Sequence, residues 1–432
     1  MGNSQSQMAG DEKWTLLKAF LQTMSPYQYL NSDQDLTTAF KIYESVESFF
    51  CSWDFQEATS QAQKELESLE TTMLKIAVTG ETGAGKSSFI NAIRGVRPGE
   101  TRAAETGVKE TTKEPTPYDC PRYPNVKFYD LPGIGSMNFK PKTYLTNVNF
   151  STYDFFIIIS SERFRSSHAD LAREIQRMKK KFYFVRAKVD QDLENERKTH
   201  GNTYSEDDTL QTIREDCRRQ LQVMGVSSPK VFLLSNWEIE KFDFHQLEDT
   251  LEQDLPHLKR LVFLLSLPNF SEEILKKKRA ELKKLTFLIA LASGGAGAIA
   301  IPVPNVSLKC NIQLLLVSTI AFYKHLGLDE ESLSRTARWA NLPVDELKGV
   351  MRSSKIEDVT FHFIQQAWIL TAGNILQGLI GLIGMLVFAV CSFIITVFQF
   401  FQVVDELYAD ALRVRAKALG EENPGDSSGA VA

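Results

Sequence analysis

The apolar positions of this 432-residue chain change their spacing three times. Trp14, Leu16, Leu17, Phe20 and Leu21, and again Phe40, Tyr43, Val46, Phe49 and Phe50, recur at helical intervals, so residues 11–71 predict a helical segment. Residues 72–254 instead alternate short apolar runs with amphipathic stretches. Strands are predicted to start near 74, 126, 154, 181 and 230, with helices between them, which argues for a parallel, doubly wound sheet. The charged stretch from Asp190 to Asp208 predicts a surface loop. Helical spacing returns over 255–361, as in Leu282, Leu285, Leu288 and Ile289. No internal repeat is evident.

The last change is the sharpest. From Val359 to Val404 the chain carries no Asp, Glu, Lys or Arg, and in Leu379–Phe398 only Ser392 and Thr396 are polar. Such a window is long enough for one hydrocarbon crossing, or it fills the core of a helical bundle. Residues 362–404 are therefore read as a hydrophobic helical segment able to enter a membrane. Residues 405–432 are read as a helix end and a disordered tail. A weaker uncharged segment, Leu285–Leu308, is broken by Gly294, Gly295, Pro302 and Pro304. It follows the basic run Lys276-Lys277-Lys278-Arg279 and Lys283-Lys284, which suits either anionic lipid headgroups or a solvated helix face. Residues 1–10 are polar, and Met1-Gly2-Asn3-Ser4-Gln5-Ser6 fits the acceptor pattern for N-myristoylation. One acyl chain holds a protein to a bilayer only marginally, so the apolar segment would be the second anchor.

Composition narrows the function classes. The net charge of −5 leaves no electrostatic footprint for nucleic acid. Five cysteines without C-x-x-C spacing suggest buried thiols in a reducing compartment. The six histidines lack the spacing of a zinc site, and no secretory signal is evident, so a cytoplasmic setting is expected.

The chemistry is concentrated after the first predicted strand, Leu74–Thr79. There Gly80-Glu81-Thr82-Gly83-Ala84-Gly85-Lys86-Ser87 leads, through Ser88, into a helical pattern. A strand, a glycine loop and a helix in that order make a phosphate cradle: backbone N–H groups converge, and the helix N-terminus adds partial positive charge. Lys86 would reach the β- and γ-phosphates and Ser87 would ligate Mg²⁺. Asp130-Leu131-Pro132-Gly133 follows the strand-like Val126–Tyr129. There Asp130 would hold the metal and Gly133 would offer its N–H to a γ-phosphate. Lys188-Val189-Asp190 and Ser235-Asn236 close two further strands. A carboxylate at Asp190 accepts from guanine N1–H and the N2 amino group together, a pair of donors adenine lacks, so GTP and GDP are the expected nucleotides. Lys188 can lay its methylene stem along the purine. The fold class expected is thus an α/β P-loop GTPase domain with a doubly wound, mostly parallel sheet. It is inserted between N- and C-terminal helical segments that form one helical domain.

These motifs, with Tyr153–Ile159 and Lys181–Arg186, resemble the interferon-inducible immunity-related GTPases over about residues 10–355. Lys86 is similar to the lysine of that family's Gly-Lys-Ser effector type. The resemblance implies that Thr106 and Thr112 lie in the loop that senses the γ-phosphate, with Thr106 also near the metal. It places Glu110 close to a neighbouring subunit's nucleotide. It further implies GTP-dependent self-association, action at intracellular or vacuolar membranes in cell-autonomous defence, and regulatory GTPases of the same family as partners. Two departures from small GTPases stand out. Ala187 replaces the residue that ties the base loop to the phosphate loop, which predicts modest base affinity. Ile134 replaces the glutamine that orients water, which predicts slow hydrolysis until a second subunit completes the site. A switch that scarcely turns over and an ATP-dependent P-loop protein are the alternative readings.

Overall fold

The computed structural model describes residues 55–107, 112, 114–134, 140–162, 164–299, 317–352 and 381–421, with side chains left out at 55–59, 291–299, 381–396, 398 and 399. Gly2, the helical pattern before 55, Glu110, residues 353–380 and the tail after 421 lie outside these. The chain separates into two compact units, Met1–Ser60 and Gln61–Ala432. The second holds the sheet and every described residue of the site.

Six strands form the sheet: β1 Leu74–Gly80, β2 Thr116–Cys120, β3 Tyr123–Asp130, β4 Phe155–Ser160, β5 Lys181–Arg186 and β6 Val231–Leu233. Their order is β2-β3-β1-β4-β5-β6. Every pairing is parallel except β2 with β3, where a register shift falls between Asp119 and Cys120. The expected doubly wound, mostly parallel sheet is present, and the antiparallel edge strand β2 is an addition to it.

Side-chain alternation divides the sheet into two buried faces. Leu74, Ile76 and Val78 of β1 and Phe155, Ile157 and Ile159 of β4 enter one apolar cluster. Ala77, Phe156 and Ile158 enter the other. Continuous apolar strands follow from that two-sided burial. Helix α1 Phe55–Thr71 precedes the first strand, and the helices between the strands are α2 Lys86–Ile93, α3 Pro141–Asn147, α4 Ser166–Arg177, α5 Val189–His200 and α6 Glu206–Val223. The Asp190–Asp208 stretch, expected as a loop, is largely helical. Asp190 and Asp192 sit in the first turn of α5, and Arg197, Lys198 and His200 sit in its last, so its charges match the helix dipole.

The first cluster continues into α7 Phe244–Asp254, α8 His257–Ser266, α9 Glu272–Ile299, α10 Glu330–Ala340, α11 Val344–Gly349 and α12 Gly381–Leu419. Helices α9 and α12 pack through Leu282, Leu285 and Ile289 on one side and Phe400, Val404 and Leu407 on the other. The basic run on α9 makes ion pairs within the protein. Lys276 pairs with Glu272, Lys277 with Asp249 and Glu252, Arg279 and Lys283 with Asp405, and Lys284 with Glu281. Lys278 is fully buried and donates to Leu267 O (2.6 Å), Asn269 Oδ1 (2.7 Å) and His325 O (3.1 Å). Three acceptors satisfy its three N–H bonds, while burial pulls its pKa well down. Among the described residues no helix is long and apolar enough to cross a membrane. Of the Leu379–Phe398 window only the Val397 side chain is described, and it is buried. Cys120 and Cys217 are buried free thiols, pushed by burial up to about 12 and about 11.

Candidate nucleotide site

The site is assembled at the C-terminal ends of β1, β3, β5 and β6, where an open α/β sheet presents its loops to a ligand. Gly80 pairs in register with Ile159 and has φ +147°, and a Cβ there would lie 2.0 Å from Ile159 O. Only glycine fits that crossing. Gly85 is the left-handed N-cap of α2, with φ +93°, and turns the chain from loop into helix. The N-terminus of α2 therefore faces the loop, as an anion site requires.

Lys86 begins this helix, largely buried, and its Nζ donates to Glu81 O (3.1 Å) and Gly80 O (3.4 Å). Thr82 and Gly83 are exposed and Ala84 is buried, while Ser87 and Ser88 are half-buried. Ser87 Oγ donates to Asp130 Oδ2 at 2.6 Å, and Thr112 Oγ1 donates to the same oxygen at 3.2 Å. Asp130 is 1% exposed, and its Oδ1 has no hydrogen-bond partner among the described residues. Burial raises its pKa, opposed by the Ser87 bond, the Lys86 charge and the Thr112 bond. Thr112 thus joins the Ser87–Asp130 pair. Thr106 is exposed and makes no described bond to it. Among the described residues no group of three His, Cys, Asp or Glu could hold a metal.

The Glu81 carboxylate turns toward α4. It lies 3.3 Å from Arg165 Nε and 3.7 Å from His168 Nε2, and burial raises its pKa. His168 is fully buried and held neutral, pulled down to about 4 by burial and by Arg165. The loop that precedes Thr106 is pinned from α2. Asn91 Nδ2 donates to Ala104 O (2.9 Å) and Asn91 Oδ1 accepts from Ala104 N (2.6 Å), while Arg94 Nη2 donates to Arg102 O (2.8 Å). Sequence reasoning missed this clamp; the asparagine on the buried face of α2 was its one visible sign.

The residues expected to read the base correct one expectation. Ala187 is buried and supplies no tie, yet the phosphate loop is tied from both neighbouring segments. Lys188, in the left-handed region at φ +60°, donates from Nζ to Gly83 O at 2.9 Å, and Asn236 Nδ2 donates to Gly85 O at 3.2 Å. Asp190 follows, half-buried, in the first turn of α5. Ser235 is fully buried, and its Oγ accepts from Trp237 N and Glu238 N, both at 3.3 Å, which fixes the turn after β6. Gly133 is half-buried. Ile134 is 1% exposed, packs into the second apolar cluster and donates its N–H to Gly80 O at 3.2 Å.

The family model for Interferon-inducible GTPase (IIGP) matches residues 40–418. Interferon-gamma-inducible GTPase 10 of Mus musculus is 40% identical over 346 residues, 78% of this chain and 82% of the relative. T-cell-specific guanine nucleotide triphosphate-binding protein 2 of the same species is 41% identical over 83% of this chain and 86% of its own. Interferon-inducible GTPase 5 of Rattus norvegicus is 39% identical over 88% and 83%. Among solved structures, the FeoB G-domain from Methanococcus jannaschii has a TM-score of 0.26 and 19% identity, covering 42% of this chain and 98% of that one. The chain belongs to the interferon-inducible GTPase family and is an immunity-related protein that binds and hydrolyses GTP.

Proposed function

We propose that this GTPase works as a Mg²⁺-dependent enzyme whose hydrolytic site is completed by a second copy of the chain at an intracellular membrane. The observation that carries the proposal is the burial of Ile134, 1% exposed and facing the core. The position beside Gly133 then offers no side chain to orient a water, so the missing group must come from elsewhere. Glu110, in the loop the family resemblance places toward a partner, is the first candidate.

The metal reading has support in the donor set. Ser87 and Thr112 gather on Asp130 Oδ2, while the buried Oδ1 has no partner among the described residues. Hydroxyl and carboxylate oxygens suit a hard cation that keeps water and phosphate as its other ligands. Mg²⁺ would be held by Ser87 and, through Asp130, by carboxylate, and when bound it neutralises charge on the phosphates. Lys86 neutralises the β- and γ-phosphates, the backbone of Gly80–Ser88 cradles them, and the Gly133 N–H meets the γ-phosphate. Asp190 reads guanine while Lys188, Ser235 and Asn236 frame the base. Membrane attachment rests on Gly2 as an acyl acceptor and on the uncharged stretch to Val404. Regulatory members of the same family are the further partners proposed.

Single-turnover hydrolysis over a hundredfold protein dilution, roughly two decades of concentration, with and without liposomes, tests the proposal. Specific activity should rise with concentration, and further on liposomes, and Glu110→Ala should flatten that rise. A rate strictly proportional to protein concentration in both arms would mean a self-sufficient monomeric site.

A further inference from the structure

The turn Asp130-Leu131-Pro132-Gly133 is anchored at both ends by its own backbone: Leu131 N donates to Val78 O at 2.9 Å and Ile134 N to Gly80 O at 3.2 Å. Between these anchors lie two peptide units: Leu131–Pro132, which has no N–H, and Pro132–Gly133, which carries the Pro132 carbonyl and the Gly133 N–H. Tyr144, on α3, donates its phenol proton to Pro132 O at 2.9 Å. That proton is then spent, so the hydroxyl of Thr79, 2.8 Å away and fully buried at the end of β1, is the donor in its bond with Tyr144. A directed chain runs from Thr79 through Tyr144 to Pro132. Burial pushes the Tyr144 phenol pKa up, so it keeps this proton across the working pH range.

No described peptide bond is cis. In a planar trans unit the carbonyl and the following N–H point in opposite directions, so fixing one aims the other. We propose that Tyr144 is a positioning residue for triphosphate recognition: its hydroxyl, held by Thr79, fixes the Pro132–Gly133 plane and so aims the Gly133 N–H at the γ-phosphate. Thr79 directly precedes Gly80, so the same chain ties that aim to the strand carrying the phosphate loop. The inference rests on the reading that Gly133 N–H meets the γ-phosphate. It predicts discrimination between triphosphate and diphosphate rather than nucleotide affinity as a whole.

The test compares the affinities of the full chain for GTPγS and GDP, with single-turnover hydrolysis alongside. Tyr144→Phe keeps the ring and removes the hydroxyl. It should weaken GTPγS about fivefold, the factor that one hydrogen bond contributes, and leave GDP within about twofold. Thr79→Val should move the ratio the same way, and Thr79→Ser, which keeps the hydroxyl, should restore it. Should Tyr144→Phe not fold, the Thr79 pair decides the matter. A GTPγS-to-GDP ratio unchanged in Tyr144→Phe and Thr79→Val, or both affinities falling together, overturns the proposal. Gly133→Pro, which removes the N–H itself, separates the two layers. If it shifts the ratio while the Tyr144 and Thr79 variants do not, the γ-phosphate reading stands and the tyrosine role fails. If it leaves the ratio untouched, the γ-phosphate reading itself fails, and the inference falls with it.

Discussion

Lys188 Nζ donates to Gly83 O at 2.9 Å, so a residue that follows the fifth strand holds the loop that follows the first. The segment after β5, proposed to frame the base, and the phosphate loop therefore share a strut. Removing it with Lys188→Ala should weaken GTP and GDP alike, by about fivefold to tenfold for a charge-assisted bond, with faster release of both. Stopped-flow dissociation of fluorescent nucleotides measures this. Loss for one nucleotide only would place the strut elsewhere.

Asp190 lies in the first turn of the helix that Lys188 caps. Asp190 is proposed to accept guanine's paired donors, so its change to Asn should exchange GTP for XTP, because the amide presents N–H where xanthine offers a carbonyl. The preference should move by about a hundredfold or more, since an unmatched donor pair is costly in a half-buried pocket. Competition between guanosine and xanthosine nucleotides at equilibrium is the measurement. An unaltered order would show that Asp190 does not touch the base.

Asp130 and Ser87 share a 2.6 Å hydrogen bond, with the second carboxylate oxygen unpartnered among the described residues. Because burial raises the Asp130 pKa, a cation must displace a proton more readily held than in water, and Mg²⁺ dependence should steepen on the acid side. In the native protein, chelating Mg²⁺ should speed nucleotide release by about tenfold or more. In Ser87→Ala and Asp130→Asn that response to chelator should largely disappear. Native release rates that ignore the chelator would remove the metal from the site.

The phosphate loop could be read from sequence because each of its demands falls on one residue type. Gly80 must be glycine to pass Ile159 O, and Lys86 and Ser87 carry the only chemistry that suits phosphate and metal there. The parallel strands were legible because burial on both faces makes them uniformly apolar. Strand β2 was not, since Thr116-Pro117-Tyr118-Asp119-Cys120 alternates polar residues along an edge. Helix α5 was misread as loop because only Val189 and Leu193 of its twelve residues are buried, and its stability comes from charge placement rather than an apolar stripe. Part of the basic run on α9 looked available because two of its residues share a remote partner: Asp405 is 126 residues from Arg279 and 122 from Lys283. The left-handed turn that sends Lys188 back over Gly83 leaves no mark in composition at all.

His245 sits between Glu240 and Glu248, 3.0 Å from each, and those two hydrogen bonds raise its pKa from 6.5 to about 10. Glu248 is 2% exposed, and burial raises its own pKa, so the pair holds its proton on the imidazole side only because the second carboxylate assists. The sign of the consequence follows from the direction of the His245 shift. A cation whose pKa is higher folded than unfolded stabilises the fold fully below 6.5, and that contribution is lost as pH rises toward 10. Cys120 and Cys217 add a loss of their own above about 9, because burial holds both thiols protonated in the fold. The diagnostic window is therefore pH 6.5 to about 8.5, where the thiols are silent. There the wild type should lose roughly 1–2 kcal/mol of unfolding free energy through this residue, and His245→Gln should be correspondingly flatter. Urea denaturation of both proteins across the window reads the difference. Parallel pH dependences would mean that His245 is neutral in the folded protein and that Glu248 is held by hydrogen bonding without charge.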